Sequence, residues 1–290
     1  MSHYSGNTND FGMDTLSLAG PLDAKLQAIQ DAGFTQVMLS AQDLVHHPLG
    51  LEGAVAAVRA SGLRVTGFQA LRDFEGLTGP LHDYKLGVAK SMLEMCHALD
   101  CRLLLVSAST LAQASSDTEA LVRDLRKLAM LAIPMNIKVA FEAVPQGHVI
   151  QDFLPAWDLV CEADMPNLGL ALDACPMLSS PTLLDDLDML DPSKVFLVQL
   201  ADTLGSTGPC RVFPGEGLNS NALAALVTRL HGLGYRGDYS FEVFNDDYQQ
   251  MPLPTVAQHA RRAALWLGEN VLQRSVPLPN QIRLKRATAR

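Results

Sequence analysis

Short apolar runs alternate with longer amphipathic segments along almost the whole 290-residue chain. Short runs rich in Val, Leu and Phe are typical of buried strands, and the segments between them have the apolar spacing of helices that pack on one face. Regular alternation of this kind indicates repeated βα units and a parallel sheet. Eight strands are predicted, over residues 13–18, 36–40, 64–69, 102–107, 138–142, 168–173, 195–200 and 239–243.

The number of strands favours a closed barrel over an open doubly wound sheet. Neither GxGxxG nor GxxxxGK[ST] follows the first strand, although an open nucleotide-binding sheet commonly carries one of them there. Eight units are the number that closes a (β/α)8, or TIM, barrel. Helices are predicted over residues 21–32, 51–60, 118–131 and 221–233, with glycines as stops at Gly33, Gly62 and Gly234.

The sequence predicts one α/β domain, a single TIM barrel that spans residues 1–270 and holds the catalytic site. Residues 271–290 change character, because they are basic and contain prolines. We expect this C-terminal extension to be disordered or to pack on a second copy of the chain in a homo-oligomer.

Composition excludes several classes of partner. The formal net charge of −9 leaves no general basic surface for a phosphate backbone, so nucleic acid is not an expected partner. No apolar run approaches the roughly 20 residues that span a bilayer, and the polar start lacks the layout of a signal peptide. Five cysteines without CxxC spacing argue against a disulfide framework and a zinc ribbon. We expect a cytoplasmic protein that does not associate with membranes.

Four oxygen-bearing side chains stand at the ends of consecutive predicted strands: Glu142, Asp173, Gln199 and Glu242. All the strands of a parallel barrel end at the same face, where functional residues gather. Carboxylates that converge there repel one another unless a cation lies between them, and oxygen ligands suit hard divalent ions. For any single position the alternative is a helix cap or an ion pair with Arg. The set of four predicts a metal site.

The Glu, Asp, Gln, Glu series resembles that of the xylose-isomerase-like TIM-barrel superfamily of sugar isomerases, epimerases and dehydratases. The resemblance runs from about residue 15 to residue 267 and is strongest for the 3-dehydroshikimate dehydratases. The segments that carry it are FQALRDFEG at 68–76, LLLVSAS at 103–109, VFLVQLAD at 195–202, RVFPGEG at 211–217 and FEVFNDDY at 241–248.

This resemblance implies a lyase that depends on Mg²⁺, Mn²⁺ or Co²⁺ and dehydrates a small cyclic hydroxy-ketone through a metal-stabilised enolate. Glu142, Asp173, Gln199 and Glu242 would be the metal ligands. Arg211 would anchor a substrate carboxylate, Arg72 is a second candidate for that role, and His148 would be the base. The alternative for each arginine is an ion pair with Asp73, Glu75 or Glu216.

Three positions depart from the dehydratase pattern. The stretch VPQGHV at 144–149 replaces a Trp, Gly, Arg, His stretch, Pro176 replaces a histidine, and Met38 replaces a glutamate near the pocket. We therefore expect a pocket that is more apolar than is usual in the family. Two alternatives follow. The first is another metal-dependent enzyme, either an isomerase or epimerase, or a repurposed dehydratase or cyclase that acts on a less polar biosynthetic intermediate. The second is a non-catalytic barrel that binds a ligand.

Overall fold

The computed structural model describes residues 10–179, 184–205 and 210–273, and eight parallel strands in these ranges close into a barrel. The predicted TIM barrel is confirmed. Around the barrel each strand lies beside the next barrel strand in the sequence, and the last pairs with the first. The barrel strands are β1 (Phe11–Asp14), β2 (Gln36–Ser40), β3 (Arg64–Arg72), β4 (Leu103–Ser107), β5 (Lys138–Glu142), β6 (Leu168–Asp173), β7 (Val195–Leu200) and β10 (Asp238–Phe241). A short antiparallel pair, β8 (Asp202–Thr203) and β9 (Arg211–Val212), follows β7.

The four helices predicted from the apolar spacing, α1, α3, α5 and α8, have their predicted bounds to within one residue. Gly62 and Gly234 end α3 and α8 in the left-handed conformation, with φ of 67° and 103°, which glycine adopts without steric cost. The helices are α1 (Leu22–Asp31), α2 (Ala41–Val45), α3 (Gly50–Ser61), α4 (Gly79–Ala98), α5 (Thr118–Ala132), α6 (Phe153–Ala163), α7 (Ala174–Met177), α8 (Ser220–Leu233), α9 (Asp246–Gln249) and α10 (Leu253–Trp266).

The first strand differs from its prediction over residues 13–18. It begins earlier, at Phe11, and ends at Asp14, after which Thr15–Ser17 form a turn of 3₁₀-helix. The Asp14 carboxylate caps this turn by accepting a hydrogen bond from the backbone N–H of Leu16 at 2.8 Å. A side chain that bonds to the backbone two residues further on competes with the strand ladder, so the strand stops there.

Two apolar layers hold the barrel together. The larger lies between strands and helices, where β-sheet side chains pack on the amphipathic helix faces. The smaller fills part of the barrel interior and contains the fully buried Met38 with Leu103, Leu105, Ala140, Ala171 and Leu197. This packed interior leaves the carboxyl-end mouth as the place for a functional site.

In the described part of the chain, no helix combines the length and the apolar character needed to cross a membrane. Most of the predicted basic extension, residues 274–290, lies outside the described residues.

Candidate active site

Strand register places the four predicted ligands on the same side of the barrel wall. Asp173 lies level with Gln199 across the β6–β7 pair, and Glu142 lies level with Ala171, two residues before Asp173. Gln199 is also level with Ser240, two residues before Glu242. Because residues two apart in a strand share a face, all four side chains point to one side.

These four side chains are almost completely buried, with exposed fractions of 7% for Glu142, 6% for Asp173, 0% for Gln199 and 5% for Glu242. Burial, reinforced by the charges of Glu242 and Asp173, raises the pKa of Glu142 to about 8. Burial and the charge of Asp173 raise the pKa of Glu242 to about 7. Ser107 at the end of β4 donates to Glu142 Oε2 at 2.8 Å and opposes the rise. The raised pKa values show that these carboxyl groups are costly to ionise together, and a cation among them would stabilise the ionised forms.

Arg211 supplies part of that positive charge. Its Nη2 donates to Asp173 Oδ2 at 2.6 Å and its Nη1 to Glu242 Oε2 at 3.1 Å, so one guanidinium spans two of the predicted metal ligands. Burial alone would lower the pKa of Arg211, but the two carboxylates raise it. Arg211 does not form the alternative ion pairs considered from the sequence, which were with Asp73, Glu75 or Glu216. One reason is that the Asn245 side chain, which follows β10, donates to the Arg211 carbonyl at 2.8 Å and holds the start of β9 near Glu242.

The loop that carries Arg211 is organised by Asp202, which is 1% exposed. Asp202 accepts hydrogen bonds from the backbone N–H groups of Thr203, Gly217 and Asn219 and from the Ser220 hydroxyl, at 2.6 to 3.2 Å. A Cβ on Gly217 would stand 2.3 Å from Asp202 Oδ1, so glycine is required there. The segments VFLVQLAD and RVFPGEG are thus joined by one buried carboxylate.

A cavity of about 270 Å³ opens above these residues and is lined by Glu142, Asp173, Glu242 and Arg211. Both arginines that were predicted as substrate anchors line this cavity, since Arg72 lies on its wall as well. Pro176 and Phe244 also line it, and the Phe244 ring lies 5.3 Å from the Arg211 guanidinium carbon. Gln199 is not among the lining residues; it is enclosed by the barrel.

Two predicted features of the pocket are not found there. His148 is exposed on the loop after β5 and does not line the cavity, although Pro145 and Gln146 of the same loop do. Met38 packs in the barrel interior, and most of the side chains that line the cavity are polar. The expectation that Met38 makes the pocket apolar is therefore wrong, because its side chain is directed into the core. His148 stays a prediction as the base.

Two buried polar residues of the mouth were not predicted from the sequence. Asp14 at the end of β1 is 0% exposed, and Gln69 of β3 is 3% exposed and lines the cavity. Gln69 Nε2 donates to Asp14 Oδ2. The signal available in the sequence was a single polar residue at each strand end, as for the other strands. Asp14 is hidden because the predicted first strand, residues 13–18, places it inside the strand rather than at its end. Gln69 ends the predicted third strand and carries the same signal as the four strand-end residues named above.

The donor set fits a hard divalent cation, which prefers oxygen ligands. Both amide atoms of Gln199 are buried without a hydrogen-bond partner of ordinary geometry, although the side chain lies close enough to Glu242 to lower its pKa. An orphaned amide oxygen beside three carboxylates has the chemistry of a metal ligand. As arranged, no three His, Cys, Asp or Glu side chains in the described ranges form a metal-binding group. Arg211 holds the oxygens of two of them instead.

The chain is similar in sequence to known proteins over most of its length. A family described as xylose isomerase-like TIM barrel matches residues 26–269. A 3-dehydroshikimate dehydratase of Pseudomonas aeruginosa is 35% identical over 277 residues, which cover 91% of this chain and 43% of that protein. An inosose isomerase of Halalkalibacterium halodurans is 32% identical over 138 residues, covering 45% of this chain and 48% of its own. The chain thus spans less than half the length of the Pseudomonas relative.

Solved structures agree on the fold. A fusion protein of a xylose isomerase-like TIM barrel with 4-hydroxyphenylpyruvate dioxygenase superimposes with a TM-score of 0.84 at 29% identity, over 96% of this chain and 44% of that one. The IOLI protein, solved with a bound zinc atom, superimposes with a TM-score of 0.79 at 21% identity, over 90% of this chain and 99% of that one. The second likeness concerns the fold alone.

Proposed function

The chain belongs to the xylose isomerase-like TIM-barrel family, and we propose that it is a divalent-metal-dependent lyase that dehydrates a small cyclic hydroxy-ketone of the 3-dehydroshikimate class. The name of the Pseudomonas relative supports this substrate class. One structural observation carries the proposal: three buried carboxylates and the orphaned Gln199 amide converge beside a polar cavity that also holds a guanidinium.

The proposed roles follow from the chemistry of each group. Glu142, Asp173, Gln199 and Glu242 would hold Mg²⁺, Mn²⁺ or Co²⁺. When bound, the ion would supply positive charge next to the substrate ketone oxygen, where negative charge develops as the adjacent proton is removed. Arg211 pairs with Asp173 and Glu242 in this structure. With these two carboxylates on the ion, its paired N–H groups would be available to bind the substrate carboxylate.

Arg72 is the second proposed anchor. Its side chain lines the cavity, and its backbone carbonyl accepts a hydrogen bond from Lys85 Nζ at 2.7 Å. This contact fixes the backbone from which the side chain extends. An exposed guanidinium on the wall is suited to meeting an incoming carboxylate before Arg211 does.

His148 is the proposed base. Its backbone N–H donates to the carbonyl of Ser109 at 2.7 Å, which holds the loop after β5 against the end of β4. The side chain is exposed, so it must rotate over the mouth to reach the proton next to the ketone. Catalytic hydrogen bonds are often incomplete without substrate, so an exposed side chain in the absence of substrate is compatible with this role.

Turnover of 3-dehydroshikimate tests the proposal. Purified protein supplied with Mg²⁺, Mn²⁺ or Co²⁺ should produce an ultraviolet-absorbing catechol acid, and Glu142→Gln should remove this activity. Asp188→Asn is the matched control, because Asp188 pairs with Arg229 on the surface and takes no part in the site. No absorbance change with any of the three ions would reject the dehydratase.

The inosose isomerase relative motivates a second candidate, an isomerase that uses the same metal site. An inosose lacks the carboxylate that Arg211 would bind, so the two candidates differ in how much they depend on this residue. Conversion of an inosose, followed by chromatography of the sugar products, together with no turnover of 3-dehydroshikimate would favour the isomerase.

A further inference from the structure

Asp14 is a buried carboxylate that the proposed mechanism leaves unused. It is 0% exposed, and each of its two oxygens accepts a hydrogen bond, one from the backbone N–H of Leu16 and one from the side chain of Gln69. Capping the turn after β1 requires only the first of these oxygens. Ser40 caps the turn after the neighbouring strand β2 with its hydroxyl, which accepts from the backbone N–H of Gln42 at 3.3 Å. The second carboxylate oxygen of Asp14 therefore needs its own explanation.

That second oxygen, Oδ2, accepts the hydrogen bond from Gln69 Nε2. Because this oxygen accepts, the nitrogen end of the Gln69 amide faces Asp14 and the oxygen end is turned away from it. Gln69 also lies beside Glu242 and lowers the pKa of that carboxyl, as expected when a donor faces it. Two carboxylates thus fix the direction of one amide.

Gln69 lines the cavity, where most polar groups are already committed. Asp173 and Glu242 accept from Arg211, and Glu142 accepts from Ser107. The two arginines on the wall only donate hydrogen bonds. With its nitrogen held by Asp14, Gln69 offers its amide oxygen to a ligand as an uncharged acceptor in the cavity wall.

We propose that Gln69 is a substrate-binding residue whose amide oxygen accepts a hydrogen bond from a hydroxyl of the substrate, and that Asp14 is the positioning residue that orients it. This inference rests on the proposed function, since it takes the substrate to be a hydroxylated ring ketone. It makes the site selective for substrates that place a hydroxyl hydrogen at Gln69.

Asp14→Asn separates this role from capping. Asparagine is as good a cap as aspartate, so a purely structural Asp14 would tolerate the change. The oxygen of the introduced asparagine would cap the backbone N–H of Leu16, so its side-chain N–H would face Gln69. The Gln69 amide would then have to reverse, with its oxygen towards the asparagine and its nitrogen towards the cavity. The substrate hydroxyl hydrogen would then lack an acceptor. KM for 3-dehydroshikimate should rise about tenfold, with a much smaller change in kcat.

The charge-swapped pair Asp14→Asn with Gln69→Glu tests the direction of the hydrogen bond. In this double variant the introduced glutamate could accept from the introduced asparagine with one oxygen and offer the other to the substrate. Most of the loss in KM should therefore be recovered at unchanged total charge. Asp14→Ser, which can cap but cannot hold Gln69, is the fallback if Asp14→Asn does not fold, and it should also raise KM. An unchanged KM in Asp14→Asn, or a double variant no better than the single one, would overturn the inference.

A spectroscopic readout keeps this test separate from the proposed function. In ¹⁵N-Gln-labelled protein, the Gln69 side-chain N–H resonance should lie downfield in the wild type, because it donates to a carboxylate, and should move upfield in Asp14→Asn. If the wild type turns over no hydroxy-ketone, the proposed function fails while this shift still supports the Asp14–Gln69 orientation. A resonance that does not move would refute the orientation whatever the activity.

Discussion

Replacing Arg211 by methionine removes the positive charge that two buried carboxylates share. Asp173 and Glu242 are 6% and 5% exposed, and the Arg211 side chain itself is 17% exposed, so water replaces little of the lost interaction. Methionine keeps the length of the aliphatic part and removes the guanidinium, which makes both ion pairs and lies 5.3 Å from the centre of the Phe244 ring. Most of the effect is expected from the two hydrogen-bonded ion pairs, because a cation–π contact is worth only about 0.5–2 kcal/mol.

The expected cost depends on pH. Breaking a buried ion pair by removing one partner costs about 3–5 kcal/mol. At pH 8 we expect a loss of this size for Arg211→Met. At pH 5 Glu242 already holds a proton in the folded protein, because burial and the charge of Asp173 raise its pKa to about 7. One of the two carboxylates then needs no partner, so the loss should fall to about half.

Urea unfolding followed by circular dichroism at pH 5 and pH 8 measures both values. Arg72→Met is the matched control, because Arg72 lines the same cavity but has no ion pair with a described carboxylate; it should change the free energy of unfolding by less than about 0.5 kcal/mol. Mn²⁺ should stabilise Arg211→Met more than the wild type, since the ion no longer competes with the guanidinium. Equal stability of Arg211→Met and wild type at pH 8 would refute this reasoning.

Three further outcomes follow from the same site. Without added metal, the free energy of unfolding should fall by a few kcal/mol between pH 5 and pH 8. The reason is that Glu142 and Glu242, with pKa values of about 8 and about 7 in the folded protein, keep protons that the unfolded chain releases. A free energy of unfolding that does not change with pH in urea titrations would contradict this. Ser107→Ala should raise the pKa of Glu142 further, by removal of the hydrogen bond from the Ser107 hydroxyl, and ¹³C-carboxyl NMR would show it. Asp202→Ala should lower stability by about 3 kcal/mol or more, since four donors lose their buried acceptor, and calorimetry that finds less than about 1 kcal/mol would argue against its organising role.

The regular parts of the barrel could be predicted because strand and helix periods are local properties of the sequence. Strands β2, β5, β6 and β7 have the predicted bounds, and they carry Glu142, Asp173 and Gln199 at or next to their ends. Barrel closure then follows from the number of units. The convergence of the four side chains predicted as ligands needed no further information than strand order and register.

Contacts between loops and strand ends could not be read in the same way. The pairing of Arg211 with Asp173 and Glu242 depends on how β9 lies over the mouth, which Asp202 sets through hydrogen bonds across some 18 residues. For Met38 the sequence gives the apolar character but not the direction of the side chain. Whether it faces the cavity or the core depends on strand tilt and on the register shift between Val37 and Met38. Asp14 was obscured by the competition between capping and strand formation.

Titration with Mn²⁺, with the free ion followed by electron paramagnetic resonance, tests the metal site most directly. We expect one bound ion per wild-type chain and binding at least about tenfold weaker in Gln199→Met, a change that removes the amide oxygen without altering charge. Glu142→Gln should weaken binding further. A wild-type chain that binds no Mn²⁺, or a Gln199→Met variant that binds it as tightly as the wild type, would contradict the assignment of these four side chains as ligands.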